Sequence, residues 1–226
     1  MSPSLDATSF AELALDLHEV STSEETLERI LEFSTKTFDC AWAGVILVHA
    51  GSRVETVASN HEDVAQLDKI QLETGEGPDI EIIADRPGVL VRDVTTETRW
   101  PSWCAAVEAA GIRSMLGARL YTTRQVLGSL NLYSFDVDAF DSSDVEVAHL
   151  LARHAAVALE GARGTEHLLK AVDARNLIGQ AQGILMERYN LEASAAFTVL
   201  RRYSQDNNVK LHVVAQQLID TRSLPR

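Results

Sequence analysis

Apolar residues open the chain at helical spacing: Phe10, Leu13, Ala14 and Leu17 recur every three or four positions until Ser21 to Ser23 interrupt them. That period predicts an amphipathic helix. Ser23 is a candidate N-cap for a second helix, with Glu24 and Glu25 in a first turn that favours negative charge. Leu27, Ile30, Leu31 and Phe38 form its apolar stripe, which ends near Asp39. The period then changes. Ala41 to His49 is rich in Val and Ile, Gly51-Ser52 follows, and Arg53 to Ser59 alternates apolar with polar residues, so two strands joined by a tight turn are expected. Val64 to Ile70 suits a short helix, and Gly75-Glu76-Gly77-Pro78 breaks any regular element. Val89-Leu90-Val91 reads as a strand after the turn Arg86-Pro87-Gly88, and Trp103 to Ala110 as a helix closed by Gly111. Ser114 to Thr122 and Val126 to Phe135 bracket Thr123-Arg124-Gln125 as a β-hairpin.

From Asp144 onward every element looks helical. Val147, Leu150, Leu151, Ala155, Ala158 and Leu159 begin the pattern, with Ser142 or Ser143 as its cap. The whole order predicts an α+β fold: a five- or six-stranded antiparallel sheet with helices gathered on one face, joined by a long helix to an all-α three-helix end. The expected domains are residues 1–160 and 161–226, with Gly161 and Gly164 as candidate flex points between them. Within the second, Ala171, Ala174, Ile178, Ala181 and Leu185 fall at three-four spacing, and Leu177 and Ile184 form a second stripe beside them. A helix with two apolar stripes packs on two things at once. One stripe is expected to meet a partner helix of the same kind, where small alanines permit close approach, and the other to carry the following helices. Asn190 ends this helix, Glu192-Ala193-Ser194 starts the next, Asn207-Asn208 makes a turn, and Leu211, Val214, Ala215 and Leu218 line a third. So small a three-helix unit gains from dimerisation.

Composition adds little until it is read by region. The 226 residues are 46% hydrophobic and 23% charged, ordinary for a globular protein with its own core. The richest apolar stretch near the N-terminus, Ala41 to Ala50, is too short to cross a bilayer, and Met1 to Ser9 lacks the pattern of a signal peptide. Two cysteines, Cys40 and Cys104, are too few for a disulfide scaffold or a metal cluster, so both are expected buried and inert in a cytoplasmic protein. Seven scattered histidines form no metal-ligand frame, and no nucleophile elbow, phosphate loop or dinucleotide fingerprint is present. No catalytic or metal site is expected. The net charge of −13 is uneven: residues 165–226 carry +2 and residues 1–164 carry −15. A phosphate-rich partner is repelled by the first part and tolerated by the last.

Residues from about 10 to 160 resemble a GAF domain. The resemblance rests on Gly75-Glu76-Gly77-Pro78, Val89-Leu90-Val91-Arg92-Asp93, Gly111-Ile112-Arg113-Ser114-Met115, and the stretch from Val126 to Tyr133 followed by Phe140-Asp141. Here Gly128 suits close approach in the second hairpin strand, and the alternation after it sends Leu130, Leu132 and Phe135 or their neighbours into the core. The resemblance implies a sensor with a small-molecule ligand in a pocket beside its sheet, the ligand unknown. The cyclic-nucleotide pattern is broken because Leu132 follows Asn131, and a bilin-type attachment motif is missing because Ala105-Ala106 follows Cys104. No local motif selects a haem-ligating histidine.

Residues 165 to 220 resemble an ANTAR domain, the RNA-binding antiterminator module. The run from Arg175 to Arg188, then Ala195-Ala196-Phe197 with Leu200-Arg201-Arg202, then Asn208 to Ala215 occur in order at the right distances. Gln182 stands where many relatives have Lys. The resemblance implies RNA stem-loops of nascent transcripts as partners, held by a homodimer, with no membrane and no DNA partner expected. Unpaired loop bases are the accessible sequence-bearing groups of RNA. Arg175, Gln182, Arg188, Arg201, Arg202, Asn208 and Lys210 would supply donors to phosphates and base edges. Ala171, Ala174, Ile178, Ala181 and Leu185 would serve dimer or helix packing. The reading is a signal-responsive antitermination regulator, not an enzyme. Its rival is a ligand-sensing dimerisation and protein-interaction module without RNA binding.

Overall fold

The computed structural model describes residues 7–49 and 53–223; the Gly51-Ser52 turn and most of Met1 to Ser9 lie outside the described residues. The chain divides into two compact units, Met1–Arg163 and Gly164–Arg226.

The first unit begins with two helices, α1 (Ala7–Glu19) and α2 (Ser23–Phe38). Thr22, not Ser23, caps α2: its Oγ1 accepts from the Glu25 N–H at 3.2 Å, and Asp39 closes the helix in the left-handed region at φ 47°. Strands β1 (Trp42–Val48) and β2 (Val54–Ser59) pair antiparallel, as the apolar run and the alternation predict. After them come α3 (Glu62–Thr74), α4 (Pro78–Ala84), β3 (Gly88–Val91), α5 (Pro101–Ala109), β4 (Ser114–Tyr121) and β5 (Val126–Ser134). Helix α4 is an addition to the sequence reading. Gly75 ends α3 with φ 71°, and Pro78 at the first position of α4 restarts a helix three residues later.

The sheet is five-stranded and antiparallel, ordered β2-β1-β5-β4-β3, with the hairpin strand β5 at its centre. Its helices do not gather on one face. On the first face Ala43, Val45, Leu47, Leu116, Ala118, Leu120, Leu130 and Leu132 pack against α1, α2 and the start of α6 (Ser142–Tyr189). On the second, Trp42, Val89, Val91, Met115 and Tyr133 pack against α3, α4 and α5 through Val64, Leu67, Ile82, Trp103 and Val107. The central strands are buried on both sides, which explains why β5 reads as a nearly continuous buried run instead of a half-exposed alternation. Leu130 and Leu132 are in the core as expected, and their neighbour Tyr133 is fully buried, but Phe135 is 51% exposed beyond the end of β5.

Helix α6 runs unbroken through Gly161 and Gly164. Its cap is Asp141, whose Oδ1 accepts from the N–H groups of Ser143 and Asp144; the carboxylate outcompetes the two serines at a helix start. Its first half gives Ala148, Leu151, Ala152, Ala155 and Leu159 to the first unit's core. In the second unit its last turns pack with α7 (Ala193–Asp206) and α8 (Leu211–Thr221) around Ala181, Leu185, Ala196, Leu200, Val214, Ala215 and Leu218. Asn190 terminates α6 in the left-handed region at φ 51°, and Asn208 turns the chain at φ 52° before α8.

Gly128 of β5 lies directly against the β1 backbone at Ile46 and Leu47. Its φ is 155°, and a Cβ there would lie 1.8 Å from the Ile46 carbonyl oxygen, so both backbone conformation and space demand glycine. Gly128→Ala is expected to destabilise the first unit by about 3 kcal/mol or more, from strain and overpacking together. A urea denaturation of the full chain measures this as a drop in midpoint.

Candidate sensor face and nucleic-acid interface

The second face of the sheet carries polar groups in a dry place. Strand alternation puts Ser129, Asn131 and Tyr133 of β5 on one side, all fully buried. Opposite them stand Asp68 and Gln71 of α3 and Asp79 of α4, each almost inaccessible to solvent. The Asp79 carboxylate collects three donors: Ser129 Oγ at 2.5 Å, Asn131 Nδ2 at 3.0 Å, and Gln71 Nε2. Gln71 closes the pair, its Oε1 accepting from the Asp79 backbone N–H at 2.9 Å. The Gly75-Glu76-Gly77-Pro78 segment makes this possible. A Cβ at Gly77 would fall 2.2 Å from Gln71 Oε1, so the chain crosses directly above the glutamine side chain only because that residue is glycine.

Asp68 is held less completely. Its Oδ2 accepts from Thr56 Oγ1 of β2 at 2.6 Å, while its Oδ1 has no hydrogen-bond partner. Burial, then the charge of Asp79, pushes its carboxyl well above the ordinary range. Burial also raises Asp79, against the pull of its three donors, and raises Tyr133 well above the usual phenol value. Around this cluster, Trp42 stacks on His61 at 4.0 Å, and Arg119 of β4 gives its Nε to the carbonyl oxygens of Ile82 and Arg86, capping the end of α4. Both cysteines are buried. Burial pushes the Cys40 thiol up to about 12 and Cys104 up to about 11, so neither is a ready thiolate. Among the described residues, no group of three or more His, Cys, Asp or Glu side chains is placed to hold a metal ion.

In the second unit the polar side chains lie on the outside of a small apolar core. Arg175 of α6, Arg201 of α7, Asn208 and Lys210 are exposed. Arg202 is also exposed and pairs with Asp206 one turn on, at 3.6 Å. Two of the expected RNA donors are engaged inside the chain. Gln182 Nε2 donates to the Ala193 carbonyl oxygen at 3.1 Å, tying α6 to the start of α7, and Arg188 donates to the Arg222 carbonyl oxygen beyond α8. The apolar stripe also divides. Ala181 and Leu185 are fully buried against α7 and α8, Ile178 and Ala174 are half-buried, and Ala171 is exposed. Between the two cores α6 shows three large aliphatic side chains to solvent: Leu168 at 66%, Leu169 at 58% and Val172 at 48% exposure.

Family models match both parts in this order: the GAF domain over residues 20–160 and the ANTAR domain over residues 166–219. The chain is a GAF–ANTAR protein.

No curated protein matches it. Solved structures similar to it include the GAF domain of an Acinetobacter phosphoenolpyruvate-protein phosphotransferase, at 14% identity and a TM-score of 0.55 over 70% of this chain and 94% of that one. Free methionine-R-sulfoxide reductase from Neisseria meningitidis, in complex with its substrate, aligns at 16% identity and a TM-score of 0.55, over 73% and 96%. A bacteriophytochrome of R. palustris aligns at 9% identity and a TM-score of 0.60, over 87% of this chain and 47% of that one. Identities this low establish a shared fold and nothing further. A GAF–ANTAR protein joins a sensor-class domain to an RNA-binding antitermination domain. Among the described residues, no helix is long and apolar enough to cross a membrane.

The ANTAR residues picked from the sequence are thus a mixture of exposed donors and internal ties. The polar cluster of the GAF domain was missed altogether. Its signal was present in Val126 to Ser134, where Ser129 and Asn131 alternate with leucines. Once both faces of the sheet are covered, such residues need buried partners. Asp79→Ala leaves Ser129, Asn131 and Gln71 without their acceptor and is expected to cost about 3 kcal/mol or more. The loss is read from thermal unfolding of the full chain.

Proposed function

We propose that this GAF–ANTAR protein is a signal-responsive antitermination regulator that works as a homodimer, gripping stem-loops of nascent transcripts through its ANTAR domains in the cytoplasm. Its role is regulatory, with no catalytic step. The observation that carries this reading is the ANTAR match over 166–219, laid on a unit whose exposed side chains are donors to phosphates and bases. Arg175, Arg201, Asn208 and Lys210 present exposed donors and are the direct contacts in this proposal. Gln182 and Arg188 instead hold α7 and the chain end in place, so they position the surface.

The homodimer is supported by α6. An isolated helix of a few turns is marginal in water, and one that also exposes Leu168, Leu169 and Val172 leaves apolar area for a partner helix. Gly161, Gly164 and Ala171, small and uncrowded, allow close approach along the same stretch. The signal acts on the GAF domain, and α6 is the element that both cores share.

Gel shifts with transcript hairpins across a salt series test the RNA reading. Binding falls as salt rises, and Arg201→Ala and Lys210→Ala each reduce the slope of log affinity against log salt by about 1. Equal affinity for hairpins and for scrambled RNA of matched length defeats stem-loop recognition and favours a protein-interaction module. For the dimer, Leu168→Asp combined with Val172→Asp is expected to halve the mass seen by sedimentation velocity while leaving the circular dichroism spectrum unchanged. A wild-type chain that sediments as a monomer at every concentration overturns it.

A further inference from the structure

Three oxygen atoms on the buried GAF face lack hydrogen-bond partners: Asp68 Oδ1, Asn131 Oδ1 and the Tyr133 hydroxyl. The Tyr133 hydroxyl sits beside both the Asp68 and the Asn131 side chains. The Asn131 amide is oriented by its Nδ2 donating to Asp79, so its Oδ1 can only accept. Counting hydrogens decides what this trio needs. With Asp68 ionised, Tyr133 brings the single hydrogen for two acceptors, and one oxygen stays unsatisfied out of reach of water. With Asp68 protonated, its hydroxyl can donate to Tyr133 and Tyr133 to Asn131, so that each of the three has a partner. Buried polar groups left unsatisfied are costly, so the protonated arrangement is the one the fold favours.

We propose that Asp68 is a buried proton-binding site of the GAF domain, and that its proton fastens α3 to the sheet through Tyr133 and Asn131. Asp79 cannot take the same role, because its carboxylate already receives three donors. The titratable groups facing Asp68 are Asp79 from α4 and Tyr133 from β5, while β2 contributes the Thr56 hydroxyl. On α3 itself, the neighbouring Lys69 lies at the surface and pairs with Glu73. Helix α5 brings Cys104, whose thiol burial keeps neutral, and Arg119 of β4 is committed to the carbonyl oxygens at the end of α4. A second negative charge beside Asp79 is therefore opposed.

The sign of the pH effect follows. The folded GAF domain holds this proton more tightly than the unfolded chain does, so the stabilisation is complete below the ordinary aspartate range and is lost as pH rises through the raised folded value. The proton is then one signal to which the sensor face responds, by loosening of α3 from β5. The inference builds on the sensor reading of the GAF domain. Its test uses no RNA, so it stands or falls apart from antitermination.

Infrared spectroscopy of the full chain reads the proton directly. The wild type is expected to show the carbonyl stretch of a protonated buried carboxyl at pH 7, and Asp68→Asn to lack it. Thr56→Val removes the donor to the ionised form, so its band persists to higher pH than in the wild type. Between the ordinary aspartate range and the raised folded value, the wild-type thermal midpoint falls by about 3 °C per pH unit, and that slope is absent in Asp68→Asn. A wild type without the band at pH 7 overturns the proposal, as does a band that survives in Asp68→Asn. Should Asp68→Asn fail to fold, the Thr56→Val arm decides: a band lost at the wild-type pH overturns it.

Discussion

A carboxylate without access to water organises half of the GAF domain. Taking a charge such as that of Asp79 out of solvent costs several kcal/mol even after relaxation, and only close donors offset it. Here the donors come from three places in the chain: Gln71 on α3, and Ser129 and Asn131 on the central strand. Asp79 can reach them because Gly77 permits the chain to pass over Gln71 and Pro78 starts a helix immediately afterwards. Polar satisfaction thus fixes which part of α4 meets which residues of β5, a register that the apolar residues around it would specify loosely. Apolar burial by Ile82, Met115 and Trp103 then adds the bulk of the stabilisation around a point already defined.

The two faces of the sheet were unequally legible in sequence. The first was plain, because α1, α2 and the start of α6 are amphipathic and place leucines and isoleucines at helical spacing against Val45, Leu47, Leu130 and Leu132. The second was hidden. Helix α4 is only seven residues long and begins among glycines that normally mark a loop, so neither length nor period announces it. Without α4, no element is available to cover Ser129 and Asn131, and gathering every helix on one side follows naturally. Side-chain competition explains the smaller shifts at helix starts. Thr22 and Asp141 are each one residue ahead of a serine that could also cap, and the residue that precedes the first helical turn wins.

In the ANTAR domain the apolar pattern located the core but could not divide it. Five residues at three-four spacing looked like one stripe, yet Ala181 and Leu185 serve the internal core while Ala171 remains outside. Periodicity reports which residues share a face of a helix, not how far along that face the neighbouring helices extend. Likewise, composition identifies a donor without saying whether it is free. Gln182 and Arg188 have the chemistry of RNA contacts, and both spend it on backbone carbonyls of their own chain.

Helix α6 joins these separate accounts. Its early turns bury Ala148, Leu151, Ala155 and Leu159 in the GAF core, and its late turns bury Ala181 and Leu185 in the ANTAR core. Helical hydrogen bonding is cooperative and continuous along it, so neither core can be remodelled at α6 without affecting an element that the other also uses. Yet coupling between the ends needs more than continuity: it needs an element with two arrangements whose balance an input can bias. The aliphatic residues exposed midway, Leu168, Leu169 and Val172, meet that need if they alternate between a partner helix and solvent, because covering them is favourable in proportion to the area removed from water. Residues 1–164 carry −15 and repel an RNA, whereas the +2 of residues 165–226 does not.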